Sequence, residues 1–297
     1  MGDALTEPPL VAATGMTGMI GMRAKELFPE LGWHSLGVDI TDQTAVDAGI
    51  AATSAPVVIN FAAYTDVSGA RQQSGDFEGP CHRINVDGAG NVAHACAKAG
   101  KFFVQVSTDY VFEGDRDSPY LETDDGDART DWYGVTKRHA EDVIKQAGGE
   151  WAIVRVSFPY QRHSSRKTDL VRRIADQLRA GTVSPMFNDQ VITPTFVDDA
   201  AGVLAQVARS RAQGVFHAVG PEWLTPHEVG LRVAESLELG AKAVPATSLQ
   251  HYVDSGGRPF PRTLRMSNTA TLSVVKQPMR SLSESLLLPG WSCAPQR

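Results

Sequence analysis

Tyr133 and Lys137 stand four residues apart in TDWYGVTKRHAED, a Tyr-x-x-x-Lys spacing that a helix brings to one face. Reducing a carbonyl takes a hydride at carbon and a proton at oxygen. A tyrosine with an ordinary pKa of ~10 is a poor proton shuttle near neutrality, and a neighbouring ammonium would stabilise its phenolate and lower that value. Lys137 suits this role, and from the same helix face it could also bond a nicotinamide ribose. Upstream, FFVQVSTDYVF reads as a strand ending in Ser107 and Thr108. A hydroxyl at the carboxyl end of such a strand can hold the carbonyl oxygen. Each piece alone has a plain structural explanation: an ordinary surface helix for the pair, and a strand end with an Asx turn at Asp109 for STDY. In this order they point to a nicotinamide-dependent oxidoreductase, with Thr108, Tyr133 and Lys137 as catalytic candidates and Ser107 beside them.

A glycine-rich turn lies further upstream. Gly15, Gly18 and Gly21 in TGMTGMIG follow an apolar strand-like run and open a helix. Glycine permits a tight turn and close approach of a pyrophosphate to the backbone, and the helix N-terminus offers free N–H groups. Asp39 follows at about the distance expected of a ribose-binding carboxylate, where it would repel a 2′-phosphate and favour NADH. Asp39 can equally be read as the cap of the next helix, in DITDQTAVD. Asn60, Ala62 and Ala63 close a further strand, where small residues leave room for adenine or ribose.

These groups need a scaffold that gathers strand ends. Residues 10–13, 34–38, 57–61, 102–106 and 151–156 are short strand-like runs. Between them lie helical segments: one running to about residue 28, a long one with Val86, Val92, Ala93 and Ala97 on one side, and the Tyr133 helix. Continuous apolar strands alternating with helices imply a parallel sheet covered on both faces, the doubly wound or Rossmann arrangement, with ligands at the strands' carboxyl ends. Beyond residue 156 the pattern changes to a polar loop, a basic amphipathic helix at 169–178, an extended stretch at 183–196, a helix at 197–208 and a late strand at 215–219. The expected organisation is a dinucleotide-binding domain over 1–160, with 188–219 returning to it. A smaller substrate-binding lobe from 161–187 and 220–297 would pack over the sheet's carboxyl edge.

Composition narrows the function further. The chain has 297 residues, 42% of them hydrophobic, which suffices for a sizeable core and excludes a disordered chain. A net charge of −6 argues against a nucleic-acid binder. Cys81, Cys96 and Cys293 are widely spaced, which favours reduced thiols over a disulfide framework or zinc site. No basic-then-apolar leader and no membrane-length apolar run is evident, so the expected location is cytoplasmic. No His/Asp/Glu spacing suggests a catalytic metal. His94 and His217 sit in apolar contexts as structural residues, whereas His163 and His227 are expected to be exposed. The acidic run at 122–127 reads as a solvated loop. Arg155, Arg162, Arg166 and Lys167 are candidates for a diphosphate, which arginine binds bidentately, or else members of a solvated loop.

Four blocks carry a family resemblance: TGMTGMIG, VVINFAAYTDV, STDYVFEGDRDSPYLETD followed by WYGVTK, and FNDQVITPTFVDDAA. Over about residues 10–275 the chain resembles the extended short-chain dehydrogenase/reductases, and within them the dTDP-4-dehydrorhamnose reductases. The resemblance implies reduction of the 4-keto group of dTDP-6-deoxy-L-lyxo-4-hexulose to dTDP-L-rhamnose with NADPH or NADH. It places Thr108, Tyr133, Lys137 and Ser107 at the active site. It implies cofactor contacts at Gly15, Thr17, Gly18, Met19, Ile20, Asp39, Ile40, Phe61, Ala62, Ala63, Tyr64, Asn85, Tyr133, Lys137 and Phe158. Substrate contacts fall on Thr65, Val67, Asp109, Tyr110, Phe158, Gln190 and Thr193, and a homodimer is among the expected assemblies. The chain departs from the family pattern in three places. It has VSGAR at 67–71 where an acidic residue and a lysine are usual, Phe158 at a tryptophan position, and a shortened segment before VDITD.

Two other functions fit the same pattern. The regulatory β subunit of methionine adenosyltransferase resembles this family, so a nucleotide-binding partner protein is one alternative. An epimerase or dehydratase that retains its NAD is the other.

Overall fold

The computed structural model describes residues 10–162, 168–289 and 291. In chain order its first half comprises β1 (Val11–Thr14), α1 (Met19–Leu27), β2 (His34–Ser35), α2 (Gln43–Ala52), β3 (Val57–Asn60) and α3 (Val67–Gln72). A nearly continuous helical run follows: α4 (Pro80–His82), a π-helical turn (Arg83–Gly88) and α5 (Ala89–Lys98). Then come β4 (Phe102–Thr108), α6 (Trp132–Gln146) and β5 (Trp151–Val156). The second half adds β6 (Pro159–Tyr160), α7 (Leu170–Ala180), β7 (Met186–Phe187), β8 (Thr195–Phe196), α8 (Val197–Ser210) and β9 (Gly214–His217). It ends with α9 (Pro226–Ser236), β10 (Ala246–Thr247), α10 (Leu249–Asp254), α11 (Thr269–Val274) and α12 (Leu282–Leu286).

Six strands pair in the order β2-β1-β3-β4-β5-β9, all in parallel. Side chains alternate between two cores. Val11, Ala13, Val57, Ile59, Phe102, Val104, Ala152 and Val154 pack with α8 and the end of the α1 segment. Ala12, Val58, Phe103 and Ile153 face the other way, onto α2, α5 and α6. Burial on both faces explains why these strands read as unbroken apolar runs. The chain reverses direction across the sheet between β1 and β3, and ligands of such sheets sit at that switch point, beyond the strands' carboxyl ends.

A further core gathers Tyr160, Val171, Ile174, Leu178, Ile192, Phe196, Val229, Val233 and Leu282 from the second half. Between it and the sheet a small cluster of Val111, Phe112, Tyr120, Val219, Leu264 and Met266 joins the loops after β4 to the 264–266 stretch. The expected second strand at 34–38 is only two residues long. The Leu36 N–H still reaches the Ala13 carbonyl at 2.9 Å, and Gly37 and Val38 leave the ladder, in keeping with the shortened segment seen in the sequence. The fourth strand extends past the 102–106 core of the run and ends in Ser107 and Thr108, as FFVQVST reads. The acidic stretch after residue 121 is solvated at Thr123 and Asp125 but anchored at its start. Glu122 is buried and accepts from the Thr271 N–H and hydroxyl at 2.7 and 2.8 Å, while Asp124 and Asp125 pair with Arg116 and Lys145.

Candidate active site

The glycine turn is built for close approach. Gly15 has φ 64°, and a Cβ there would lie 2.3 Å from the Ala62 nitrogen. The turn therefore nests against the end of β3, and only glycine fits. Beneath it a buried chain locks three strand ends together. The Thr14 hydroxyl donates to Asn60 Oδ1, the Ala62 N–H donates to the same oxygen at 3.0 Å, and Asn60 Nδ2 donates to Gln105 at 2.8 Å. Asn60 is thus a brace, with no polar atom left for a ligand. Gly18 is the N-cap of α1 and supplies no side-chain cap, so the first N–H groups of the helix, at Met19 and Ile20, face outward beside exposed Thr17.

Asp39 is exposed and does not cap α2. That role belongs to Asp42, which accepts from the Thr44 and Ala45 N–H groups. Asp39 instead accepts from the Thr41 N–H at 2.9 Å and hydroxyl at 2.8 Å, which lowers its pKa below the usual carboxylate value. Arg83 lies near enough to favour the charged form as well. Ile40 and Asn85 are not at the cleft surface. Ile40 is in the core under α5, and Asn85 is buried, bracing the Tyr64 backbone N–H at 2.8 Å and the Thr136 hydroxyl at 3.1 Å. The π-helical turn presents Asn85 in this position. Phe61, Ala62, Ala63, Tyr64 and Val67 are half-buried along the same edge, and Thr65 is exposed.

The catalytic candidates converge where β4 ends and α6 begins. Asp131 caps α6 by accepting from the Gly134 N–H at 3.2 Å. A Cβ on Gly134 would lie 2.1 Å from the Tyr110 carbonyl oxygen, so glycine lets the helix start press onto the Asp109–Val111 turn. This contact brings the Tyr133 phenol to the Thr108 hydroxyl, with the Tyr110 ring edge-on at 5.7 Å. Burial raises the Tyr133 pKa above its ordinary value, and the Thr108 hydrogen bond only partly opposes it. The expected lowering by Lys137 is therefore not the state of this site: the phenol is held protonated. Lys137 is 2% exposed, and its Nζ donates to the Val106 carbonyl at 2.9 Å. Burial lowers its pKa to about 8, against the opposing charge of Glu141 one turn along.

Ser107 does not join Thr108. Successive strand residues point to opposite faces, and the Ser107 hydroxyl donates to Glu141 Oε1 at 2.6 Å. Glu141 also takes Arg155 Nε at 3.0 Å and Nη2 at 2.6 Å, and Arg155 is fully buried. Arg155 is accordingly no phosphate ligand. Arg162 is occupied too, paired with Asp198 at 3.0 Å. Arg166 and Lys167, like His163 and Cys293, lie outside the described residues. His217 is a buried structural residue whose pKa burial lowers to about 3, His94 is exposed, and His227 is half-buried.

The expected substrate contacts divide in the same way. Gln190 is buried and donates to the Pro261 carbonyl at 2.9 Å, and Thr193 donates to that of Leu264 at 2.7 Å. Both fasten the 190–193 stretch to the 261–266 stretch. Asp109 is 1% exposed behind Thr108, not at the substrate surface. Tyr110 and Phe158 remain at the cleft, their rings 6.4 Å apart. Phe158 has φ 38°, a left-handed conformation that costs a non-glycine residue about 1–3 kcal/mol, and the Thr195 N–H holds its carbonyl at 3.3 Å. The sequence reading missed Arg258. Half-buried and stacked over Phe260 at 3.9 Å, it has no carboxylate partner among the described residues, and its charge reaches Tyr110 and Asp131.

A parallel doubly wound sheet, a glycine turn at its switch point and a Thr–Tyr–Lys set at the next strand end define an oxidoreductase scaffold of the short-chain dehydrogenase/reductase kind. Residues 10–287 match the family described as the RmlD substrate binding domain. The dTDP-4-dehydrorhamnose reductase of Mycobacterium tuberculosis is 35% identical over 216 residues, 69% of this chain and 68% of the relative. The methionine adenosyltransferase 2 subunit beta of Mus musculus is 28% identical over 300 residues, 93% of this chain and 86% of that one. The solved dTDP-4-dehydrorhamnose reductase of Bacillus anthracis, in complex with NADP, superposes with a TM-score of 0.82 at 25% identity, covering 94% of this chain and 97% of the other. The chain belongs to the dTDP-4-dehydrorhamnose reductase family of sugar-nucleotide reductases. No described helix is long and apolar enough to cross a membrane.

Proposed function

We propose that the chain reduces the 4-keto group of a dTDP-6-deoxy-4-keto sugar, dTDP-4-dehydrorhamnose to dTDP-L-rhamnose, using NADPH or NADH. The observation that carries this reading is the meeting of a protonated Tyr133 with Thr108, one helical turn from the buried Lys137. The Gly15 cradle and the uncapped start of α1 fit a dinucleotide pyrophosphate, Asp39 and Arg83 flank the adenosine end, and Lys137 would hold the nicotinamide ribose. The bound nicotinamide supplies the hydride. Tyr133 holds the proton that the carbonyl oxygen needs, and Thr108 orients that oxygen. Among the described residues Arg258 is a cation without a carboxylate partner and suits the substrate's diphosphate, a part the sequence offered to Arg155, Arg162, Arg166 and Lys167.

Incubation with NADPH or NADH and enzymatically generated dTDP-6-deoxy-L-lyxo-4-hexulose tests the reading through loss of cofactor absorbance and formation of dTDP-rhamnose. Tyr133→Phe should bind cofactor normally and lose about 10²–10⁴-fold in turnover. Full activity in that variant would end the mechanism. A regulatory, non-catalytic role is favoured by one observation, the 28% identity to a methionine adenosyltransferase subunit over nearly the whole chain. A change in synthetase kinetics on mixing, together with no oxidation of either cofactor, would move the conclusion there.

A further inference from the structure

The Asp109 carboxyl sits behind the Thr108 hydroxyl, which is the neighbour of the Tyr133 phenol. Its Oδ1 lies 2.9 Å from the Thr108 hydroxyl, and its Oδ2 takes the Ser157 hydroxyl at 2.7 Å. Thr108 in turn meets Tyr133 and accepts the Tyr110 N–H at 3.3 Å. A threonine hydroxyl has one proton and two lone pairs, and a carboxylate can only accept. While Asp109 is ionised, the Thr108 proton must point to it. Thr108 can then only accept from Tyr133, so the phenol proton points inward, away from a bound carbonyl. If Asp109 carries the proton at Oδ1, the line reverses. Asp109 donates to Thr108, Thr108 turns its proton toward the cleft, and the Tyr133 proton is released toward the substrate oxygen.

We propose that Asp109 is a positioning residue whose protonation sets the polarity of the Thr108–Tyr133 pair, with the protonated form competent for reduction. The inference rests on the reductase reading above. It gives a reason for a carboxyl to lie 1% exposed behind a catalytic hydroxyl, with neutral hydroxyls as its side-chain partners. The titratable groups around it are Tyr133 and the cap residue Asp131 from α6, Tyr110 on its own turn, and Arg258 from the facing loop, which acts on Tyr110 and Asp131. Lys137 lies one turn along α6, bonded to Val106. The residue after β5 contributes the Ser157 hydroxyl, and within β5 Arg155 is turned to Glu141. Burial raises the Asp109 pKa to about 6, with the Ser157 and Thr108 hydrogen bonds opposing. The active form is therefore present at lower pH and is lost as pH rises through that value. A filled cleft, by excluding water, moves the limb upward.

The test compares pH profiles of kcat for the full chain, Asp109→Asn and Asp109→Leu, with the keto sugar and NADPH. The asparagine amide donates permanently to Thr108 while its oxygen accepts from Ser157. The expected result is an alkaline limb at or above pH 6 in the wild type that is absent in Asp109→Asn. Asp109→Leu should lose about 100-fold in kcat at every pH, most of which Asp109→Asn restores. A limb that persists unchanged in Asp109→Asn overturns the proposal, as does a folded Asp109→Leu with wild-type turnover. Isotope-edited NMR of the aspartate carboxyl and tyrosine ring carbons gives a readout that does not need catalysis. The Tyr133 signal should move with the Asp109 titration and stay still in Asp109→Asn, and a Tyr133 signal blind to that titration refutes the polarity argument. Absence of turnover in the wild type counts against the reductase reading alone, because the NMR result then decides the Asp109 claim by itself.

Discussion

Replacing Lys137 with methionine should make the ligand-free protein more stable at neutral pH while disabling it. Lys137 is 2% exposed, and its ammonium pKa falls from 10.5 to about 8 because burial disfavours the charge more than Glu141 favours it. At about 1.4 kcal/mol per pH unit, the fold gives up about 3 kcal/mol to keep this side chain charged. A lysine with a lowered folded pKa binds its proton less readily in the native state than in the unfolded one. Its penalty is therefore complete below pH 8, fades as pH rises from 8 to 10.5, and is gone above 10.5, where the unfolded chain has lost the proton as well. Methionine matches the length of the stem without the charge. It forgoes the hydrogen bond to the Val106 carbonyl, a loss of about 1 kcal/mol. The net expectation is a gain of about 2 kcal/mol at pH 7 that becomes a loss of about 1 kcal/mol near pH 10.5. Urea unfolding of both ligand-free proteins across this range measures the difference directly, and titrations common to both cancel. A Lys137→Met variant that is less stable at pH 7, or a difference that does not change with pH, would refute the assignment of Lys137 as a strained functional cation.

Two further substitutions probe the supports of the site. Glu141→Gln leaves Arg155 charged and fully buried without its carboxylate, which costs about 3–5 kcal/mol, and thermal unfolding should fall by about 10 °C. The paired change Glu141→Leu with Arg155→Met should recover most of that loss, and a drop below about 3 °C for Glu141→Gln alone would mean that the ion pair carries little. Gly15→Ala sets a Cβ 2.3 Å from the Ala62 nitrogen at φ 64°, so the urea midpoint should fall with a cost of about 2–4 kcal/mol. NADPH binding, followed by cofactor fluorescence, should weaken in the same variant, and unchanged binding would remove the Gly15 turn from the cofactor site.

What the sequence made legible was local. Val57–Asn60 and Trp151–Val156 read as buried strands because nearly every residue in them is apolar and each run is short and rich in β-branched residues. The Tyr133–Lys137 spacing survives because helix geometry fixes it whatever surrounds it. The residues whose partners the sequence did not foretell share a different property. Ser107, Asn85, Gln190, Thr193, Arg155 and Asp109 are polar groups in family-like positions, and each is buried against a partner far away in the chain. Nothing within ten residues of Asp109 foretells Ser157, and nothing near Arg155 except its strand assignment foretells Glu141. Whether a polar side chain serves a ligand or braces the fold depends on which long-range partner reaches it first, and a single sequence does not record that. The two kinds of residue are nonetheless coupled here. Glu141 lies one turn from Lys137 and favours its charge against burial, and Asp109 lies directly behind Thr108 and takes its hydroxyl. The residues that the sequence marked as catalytic therefore depend on buried neighbours it could not mark, and changes at those neighbours should alter pH dependence before they alter binding.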